Sequence, residues 1–293
     1  MKRIGLMTIL PCLSLCLATG AAMGEPLRVF VGILPLKGFV ERIGGEYVAA
    51  EVLVSPGHSP ETYEPTPRQM AALSTAKIYF AIGMPFETLW IPRIKDTNRD
   101  ITVVACQKGI QRLAATHHHH HHHEGEGHAP EDGDPHVWTS PVQARQIAAN
   151  IAAALEAALP EQKEYFRGNC QRLAEDLEAL EREIRDMLAP VTQRRFMVFH
   201  PSWGYFAQDF GLEQIAIEAD GKEPGAKTLA LLIDRARREN IRVVLVQAQF
   251  SHATADTIAS AISGKVVSID PLAEDYFANL RKVAQTMKEA MTP

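Results

Sequence analysis

Pro160–Pro190, PEQKEYFRGNCQRLAEDLEALEREIRDMLAP, carries Phe166, Leu173, Leu177, Leu180, Ile184 and Leu188 at spacings of three, four and seven. Glu175, Glu178, Glu181, Arg182 and Arg185 fall largely elsewhere, so the stretch reads as an amphipathic helix. At about 1.5 Å per residue it would reach roughly 40 Å, longer than one small domain requires. A coiled coil is the competing reading, but the stripe is too short for sustained heptads. Strand-and-helix patterns lie on both sides of it. The segment 160–189 is therefore expected to be a rigid helix joining two domains.

Upstream, LRVFVGILP, YVAAEVLVSPG, KIYFAIG and ITVVAC are short β-branched runs, separated in part by KGFVERIGG and PTPRQMAALSTA, which have helical spacing. PVQARQIAANIAAALEAALP is a further helix with proline at its start. Downstream, RRFMVFHPSWGYFAQDFGL and QIAIEAD precede a helix over 229–239. IRVVLVQAQF follows, then a helix over 254–262, the strand KVVSID and a last helix over 274–291. Strands alternating with helices imply mainly parallel sheets covered on both faces. The expected fold is thus two α/β domains, residues 25–159 and 190–293, joined by the long helix. Ligands of open α/β sheets bind beyond the carboxyl ends of the strands, which places a site in the interdomain cleft.

The first residues, MKRIGLMTILPCLSLCLATGAAMGEP, put Lys2 and Arg3 before an apolar run from Ile4 to Leu17 and small residues after it. Residues 1–24 read as a signal peptide cleaved near Gly24, since the run is shorter than the roughly 20 residues that span a bilayer. Leu15 before Cys16 fits a lipid-attachment site poorly, so soluble export to the periplasm or another extracytoplasmic space is expected. Cys12 and Cys16 leave with the signal. Cys106 and Cys170 remain, either as a pair or as two free thiols. The 293 residues are 46% hydrophobic and 22% charged, with net charge -5. No basic cluster is interleaved with aromatics, so a nucleic-acid partner is not expected.

Twelve histidines are distributed unevenly. His117, His118, His119, His120, His121, His122 and His123 form a run, and His128 shares the glycine- and acid-containing loop 116–135. His58, His200 and His252 each lie just past a strand candidate, and His136 lies between the loop and a helix. Asp270 ends the strand KVVSID. Imidazole nitrogens and a carboxylate at a cleft edge are the donor set of a zinc site.

The ordered series SPETYEPTPRQ, DPHVWTSP, VFHPSWGYFAQDFGL, EADGKEPGAK, VQAQFS and SIDPL resembles the periplasmic zinc- and manganese-binding proteins of ABC importers, the ZnuA/TroA type of the cluster A-I solute-binding proteins. The resemblance covers essentially the whole mature chain and is closest to the zinc branch. It implies two α/β domains with a metal between them, His136 and His200 as ligands, and Asp270 as a carboxylate ligand. The family commonly has histidine after the proline of the first motif, where this chain has Glu61. Either Glu61 binds the metal, or His58 does in its place, or water fills the position. A carboxylate makes the site harder and favours manganese, whereas the histidine run favours zinc, because adjacent imidazoles on a loop capture it at many weak positions.

The expected function is an extracytoplasmic zinc-binding protein, monomeric and not an enzyme, that hands Zn2+ to the membrane permease of an ABC importer. Two other readings are a manganese-binding importer component and an exported zinc hydrolase. Against the hydrolase, the sequence has no HExxH and no second acid tied by spacing to the metal histidines.

Overall fold

A computed structural model describes residues 24–114, 133–219, 221–250 and 252–292. The proposed leader through Met23 and the histidine run His117–His123 with His128 lie outside the described residues. The first half contains β1 (Leu27–Val31), α1 (Leu34–Gly44), β2 (Val48–Val52), α2 (Pro67–Leu73), β3 (Ile78–Ala81), α3 (Pro85–Thr97), β4 (Thr102–Ala105) and α4 (Pro141–Ala158). After α5 (Lys163–Leu188) come β5 (Arg195–Val198), α6 (Gly204–Asp209), β6 (Glu213–Ala216), α7 (Ala226–Arg238), β7 (Val243–Gln247), α8 (Ala253–Ala261), β8 (Lys265–Ile269) and α9 (Tyr276–Met291).

Both sheets are parallel throughout and share one topology, β2-β1-β3-β4 and β6-β5-β7-β8. Burial explains the sequence pattern. Interior β3 (IYFA) and β7 (VVLVQ) are buried at every position, as continuous apolar runs should be when helices cover both faces, whereas the edge strand β2 is partly exposed. Within each sheet every strand ends on the same side as its neighbours, so the loops that follow β2 and β5 lie at the carboxyl edges of their own sheets.

The long helix begins with a 3-10 turn at Pro160–Gln162 and continues as α5, whose stripe Phe166, Leu173, Leu177, Leu180, Ile184 and Leu188 is buried. It packs along α4, α1 and α9, and the Asn169 side-chain amide donates to the Ile43 carbonyl at 2.8 Å. From the second half, α9 returns across the first: the Tyr276 ring meets Phe39 edge-on at 4.8 Å. A single apolar cluster therefore runs from β1 and α1 through α5 to Phe196, Val198, Leu245 and α9. The join is a shared core rather than a free rod.

A polar tie reinforces it. Ser140 caps α4 by accepting from the Gln143 amide at 2.9 Å, and its hydroxyl donates to Asp209 of α6 at 2.5 Å. The helix α3, which the sequence reading did not include, carries Pro92 in its interior. Its start is fixed by buried Glu87, whose carboxylate accepts from the amides of Ile82, Gly83 and Met84 at 3.1, 2.6 and 2.9 Å. Cys106 and Cys170 are both free thiols. Among the described residues no helix is long and apolar enough to cross a membrane.

Candidate metal centre

Three loops converge where the halves meet. Glu61 lies between β2 and α2, on a loop held by Gln69, whose side chain donates to the Leu53 carbonyl at 2.6 Å and accepts from Tyr63 at 3.0 Å. His136 precedes a 3-10 turn, Val137–Thr139, that leads into α4. His200 follows β5, and Gln247 of β7 donates to its carbonyl at 2.8 Å.

The side chains of these three meet. His136 Nε2 and His200 Nε2 are 3.2 Å apart, and Glu61 Oε1 lies 3.5 Å from the first and 3.4 Å from the second. Zinc bonds to nitrogen and carboxylate oxygen of about 2.0–2.2 Å give a tetrahedral face whose edges are roughly 3.3–3.5 Å. The triangle therefore has the size of three vertices of a zinc tetrahedron. A cavity of about 20 Å³ lies against them, bordered by Trp138, Gln249, Phe250 and Leu272. That is room for about one water-sized occupant at a fourth position.

The outer nitrogen of each ring has its own carboxylate. His136 Nδ1 is 2.7 Å from Asp134 Oδ1, and His200 Nδ1 is 2.5 Å from Glu218 Oε1. A carboxylate can accept only from an N–H, so each pair sets the proton on Nδ1 and turns the Nε2 lone pair inward. Asp134 is itself placed: its carbonyl accepts from Tyr205 at 2.7 Å, and a side chain at position 204 would press on its carboxylate at 2.9 Å, a space that Gly204 leaves open. Ring packing holds the imidazoles, with Phe250 stacked on His200 and Trp138 tilted against His136, both at 5.1 Å between centroids.

Electrostatics follow from this geometry without an ion. Burial works against a charged His136, but hydrogen bonds to Asp134 and Glu61 outweigh it and raise the imidazole to about 9. Burial likewise opposes charge on His200, and the bonds to Glu218 and Glu61 still raise it. Glu61 is pushed up by burial, yet the two imidazoles bring it down to about 2. Two inward lone pairs 3.2 Å apart beside a carboxylate attract a cation: a proton in one state, a metal ion in another.

Of the sequence-derived candidates, the structure brings together Glu61, His136 and His200, and among the described residues these form a group whose ligand atoms all lie within 4.8 Å of one another. Asp270 is outside that group. Its Oδ1 accepts from the Leu272 amide at 2.9 Å and faces the Gln249 amide at 3.5 Å. His58 is exposed, with Nδ1 3.3 Å from the Pro56 carbonyl and its ring edge-on to Tyr63. Asp134 and Glu218 were not singled out by sequence, although both stand in quoted motifs, DPH and EAD. The proximity of Asp134 to His136 was the available signal, and nothing local pointed from Glu218 to His200.

The family model of zinc-uptake complex component A, periplasmic, matches residues 29–290. The high-affinity zinc uptake system protein ZnuA of Bacillus subtilis is 28% identical, with 92% of this chain and 89% of that protein covered. The zinc-binding lipoprotein AdcA of Streptococcus pneumoniae is 28% identical over 99% of this chain, which spans 61% of the length of that relative. A crystal structure of ZnuA superposes with a TM-score of 0.85 at 37% identity, over 92% of this chain and 100% of that one.

Proposed function

Because the chain belongs to the zinc-uptake complex component A family, we propose that it is an extracytoplasmic zinc-binding protein that delivers Zn2+ to the membrane permease of an ABC importer. The observation that carries this reading is the triangle of Glu61 Oε1, His136 Nε2 and His200 Nε2, with 3.2–3.5 Å edges and each ring backed by its own carboxylate. Two imidazoles and one carboxylate are a donor set that suits zinc, and a fourth place with room for one water completes four-coordination. The relatives named for zinc support the choice of ion over manganese. A solved deletion mutant of ZnuA with zinc bound, of TM-score 0.85, supports it further.

In this reading Glu61, His136 and His200 are the ligands. Residues 1–24 are a cleaved signal, and the histidines from His117 to His128 collect zinc weakly. Transport asks for binding and release, not turnover, and the donors do both through protonation: the ligands must lose protons to bind.

Titration of the full-length protein with Zn2+ against a competing chelator tests the reading. One tight equivalent and several weaker ones are expected. Alanine at His136 or His200 should weaken the tight equivalent a hundredfold or more, about 2.7 kcal/mol. Unchanged tight binding in both variants, or weak equivalents alone in the unaltered protein, overturns it.

A further inference from the structure

His136 belongs to the first half of the chain, yet the segment that carries it is fastened to the second half. Tyr205 of α6 donates its hydroxyl proton to the Asp134 carbonyl at 2.7 Å and accepts from the Leu113 amide at 3.0 Å. Tyr276 of α9 donates to the Trp138 carbonyl at 2.9 Å, and the Trp138 indole donates to the Pro271 carbonyl at 2.8 Å. Together with the bond from Ser140 to Asp209, these contacts hold positions 134, 138 and 140 against residues that follow α5. The two tyrosines thus grip the segment on either side of His136.

Each grip leads to the imidazole by a short path. Asp134 accepts from both the amide and Nδ1 of His136, at 2.9 and 2.7 Å, so a shift of its backbone moves the partner that orients the ring. Its amide also donates to the Leu113 carbonyl at 2.8 Å, and the Tyr205 hydroxyl therefore closes a stem formed by the two chain segments that flank the histidine-rich insert. On the other side, Trp138 packs its ring against His136. Both tyrosines are buried, so loss of either hydroxyl leaves a carbonyl without its partner. His200 is held within the second half by Gln247 and Glu218. Glu61, in contrast, is held by Gln69 and Tyr63 of the first half.

On the premise that the triangle is the zinc site, we propose that Tyr205 and Tyr276 are its positioning residues: their hydroxyls register the His136 segment on the second half of the molecule and so set the spacing of the two imidazoles independently of Glu61. Neither tyrosine is a ligand. A zinc tetrahedron fixes the distance between ligand atoms closely, and a ligand displaced by about 1 Å is lost to water. The two histidines are then a preformed pair on one body, and the first half supplies only the carboxylate.

Titration of the full-length protein with Zn2+ against a chelator, read through the fluorescence of Trp138, which borders the site, tests this. Tyr205→Phe and Tyr276→Phe keep the rings and remove only the hydroxyls, and each should weaken the tight equivalent about tenfold. In a His136→Ala background the same replacements should change the remaining affinity less than twofold, because residues that act through His136 have nothing left to place. With Co2+ in place of zinc, the intense visible bands of four-coordination should weaken in both tyrosine variants, which a loss of stability alone does not produce. Asn169→Ala removes a different buried bond, from α5 to the Ile43 carbonyl. It should lower the melting temperature by a comparable amount while tight affinity stays within twofold. Unchanged affinity in both tyrosine variants overturns the proposal. An equal loss in Asn169→Ala, or an undiminished loss in the His136→Ala background, also overturns it, by making the effect one of general destabilisation. Absence of any tight site in the unaltered protein is a different failure, that of the zinc-site premise itself.

Discussion

The two sheets have the same strand order and the same parallel pairing, yet they are buried differently. Every buried residue of the first sheet belongs to the large core. The second is divided, with Phe196, Val198, Val243 and Leu245 joining that core and Met197, Val244 and Val246 forming a smaller one with α8 and part of α7. Alternation along β5 and β7 produces the division, because successive side chains point to opposite faces. Equal topology thus does not give equal independence: one face of the second sheet is fused to the first half through α5 and α9. The metal centre inherits the asymmetry. His136 comes from the loop entering α4, whereas His200 follows a strand that serves both cores.

The sharpest way to break this comparison is to hollow out the shared core. Leu180→Ala in α5 should cost about 2–5 kcal/mol, with both halves melting in one calorimetric transition. Leu232→Ala, at the edge of the smaller core, should cost less and raise hydrogen exchange in α7 first. Two separated transitions in Leu180→Ala would show that the halves fold as independent units.

A smaller effect sharpens the comparison at the two rings. Asp134→Asn and Glu218→Gln keep shape but remove the charge behind each imidazole, and loss of such partners typically weakens metal binding ten- to a hundredfold. The larger loss is expected for Glu218→Gln, because Asp134 accepts at only 11% side-chain exposure while Glu218 is more deeply enclosed at 4%. Competition titration checks the ranking, and an equal response would mean that burial does not separate the two supports.

A further test is of pH. With its imidazole at about 9 against an ordinary 6.5, His136 in the metal-free protein is protonated at neutral pH. Its raised value stabilises the metal-free fold fully below about 6.5, and this contribution is lost as pH rises through about 9. Zinc must displace the same proton, so His136 alone should make affinity rise by about tenfold per unit up to about pH 9, with the raised His200 adding to the slope at the lower end. The thermal shift caused by zinc should grow over that window. Calorimetry in buffers of different ionisation enthalpy should find at least about one proton released at pH 7, and no release would place the His136 imidazole lower.

Much of this was legible in the chain. The stripe from Phe166 to Leu188 predicted the long helix, since period and burial are one property there. The β-branched runs predicted seven of the eight described strands individually, and QIAIEAD overlapped the eighth from Gln214 to Ala216. α3 was not read from the sequence; its interior Pro92 argues locally for a break, and the described fold shows it tolerated on an exposed turn. Glu61, His136, His200 and Asp270 were named from motif positions, with His58 as the alternative to Glu61, and nothing in the sequence set Asp270 apart from the other three.

The sequence by itself determined the elements, their alternation, the family to which the chain belongs and the short list of donors, because these depend on local periodicity and on ordered motifs. Only the tertiary structure decided that three donors share one small space while His58 and Asp270 border another, and that Asp134 and Glu218 stand behind the rings. The reason is one of scale: pattern along the chain places a side chain at the end of a strand, within several ångströms, whereas a coordination sphere is about 2 Å in radius. That last precision comes from the shared core of α5 and α9, which fixes one half of the molecule against the other.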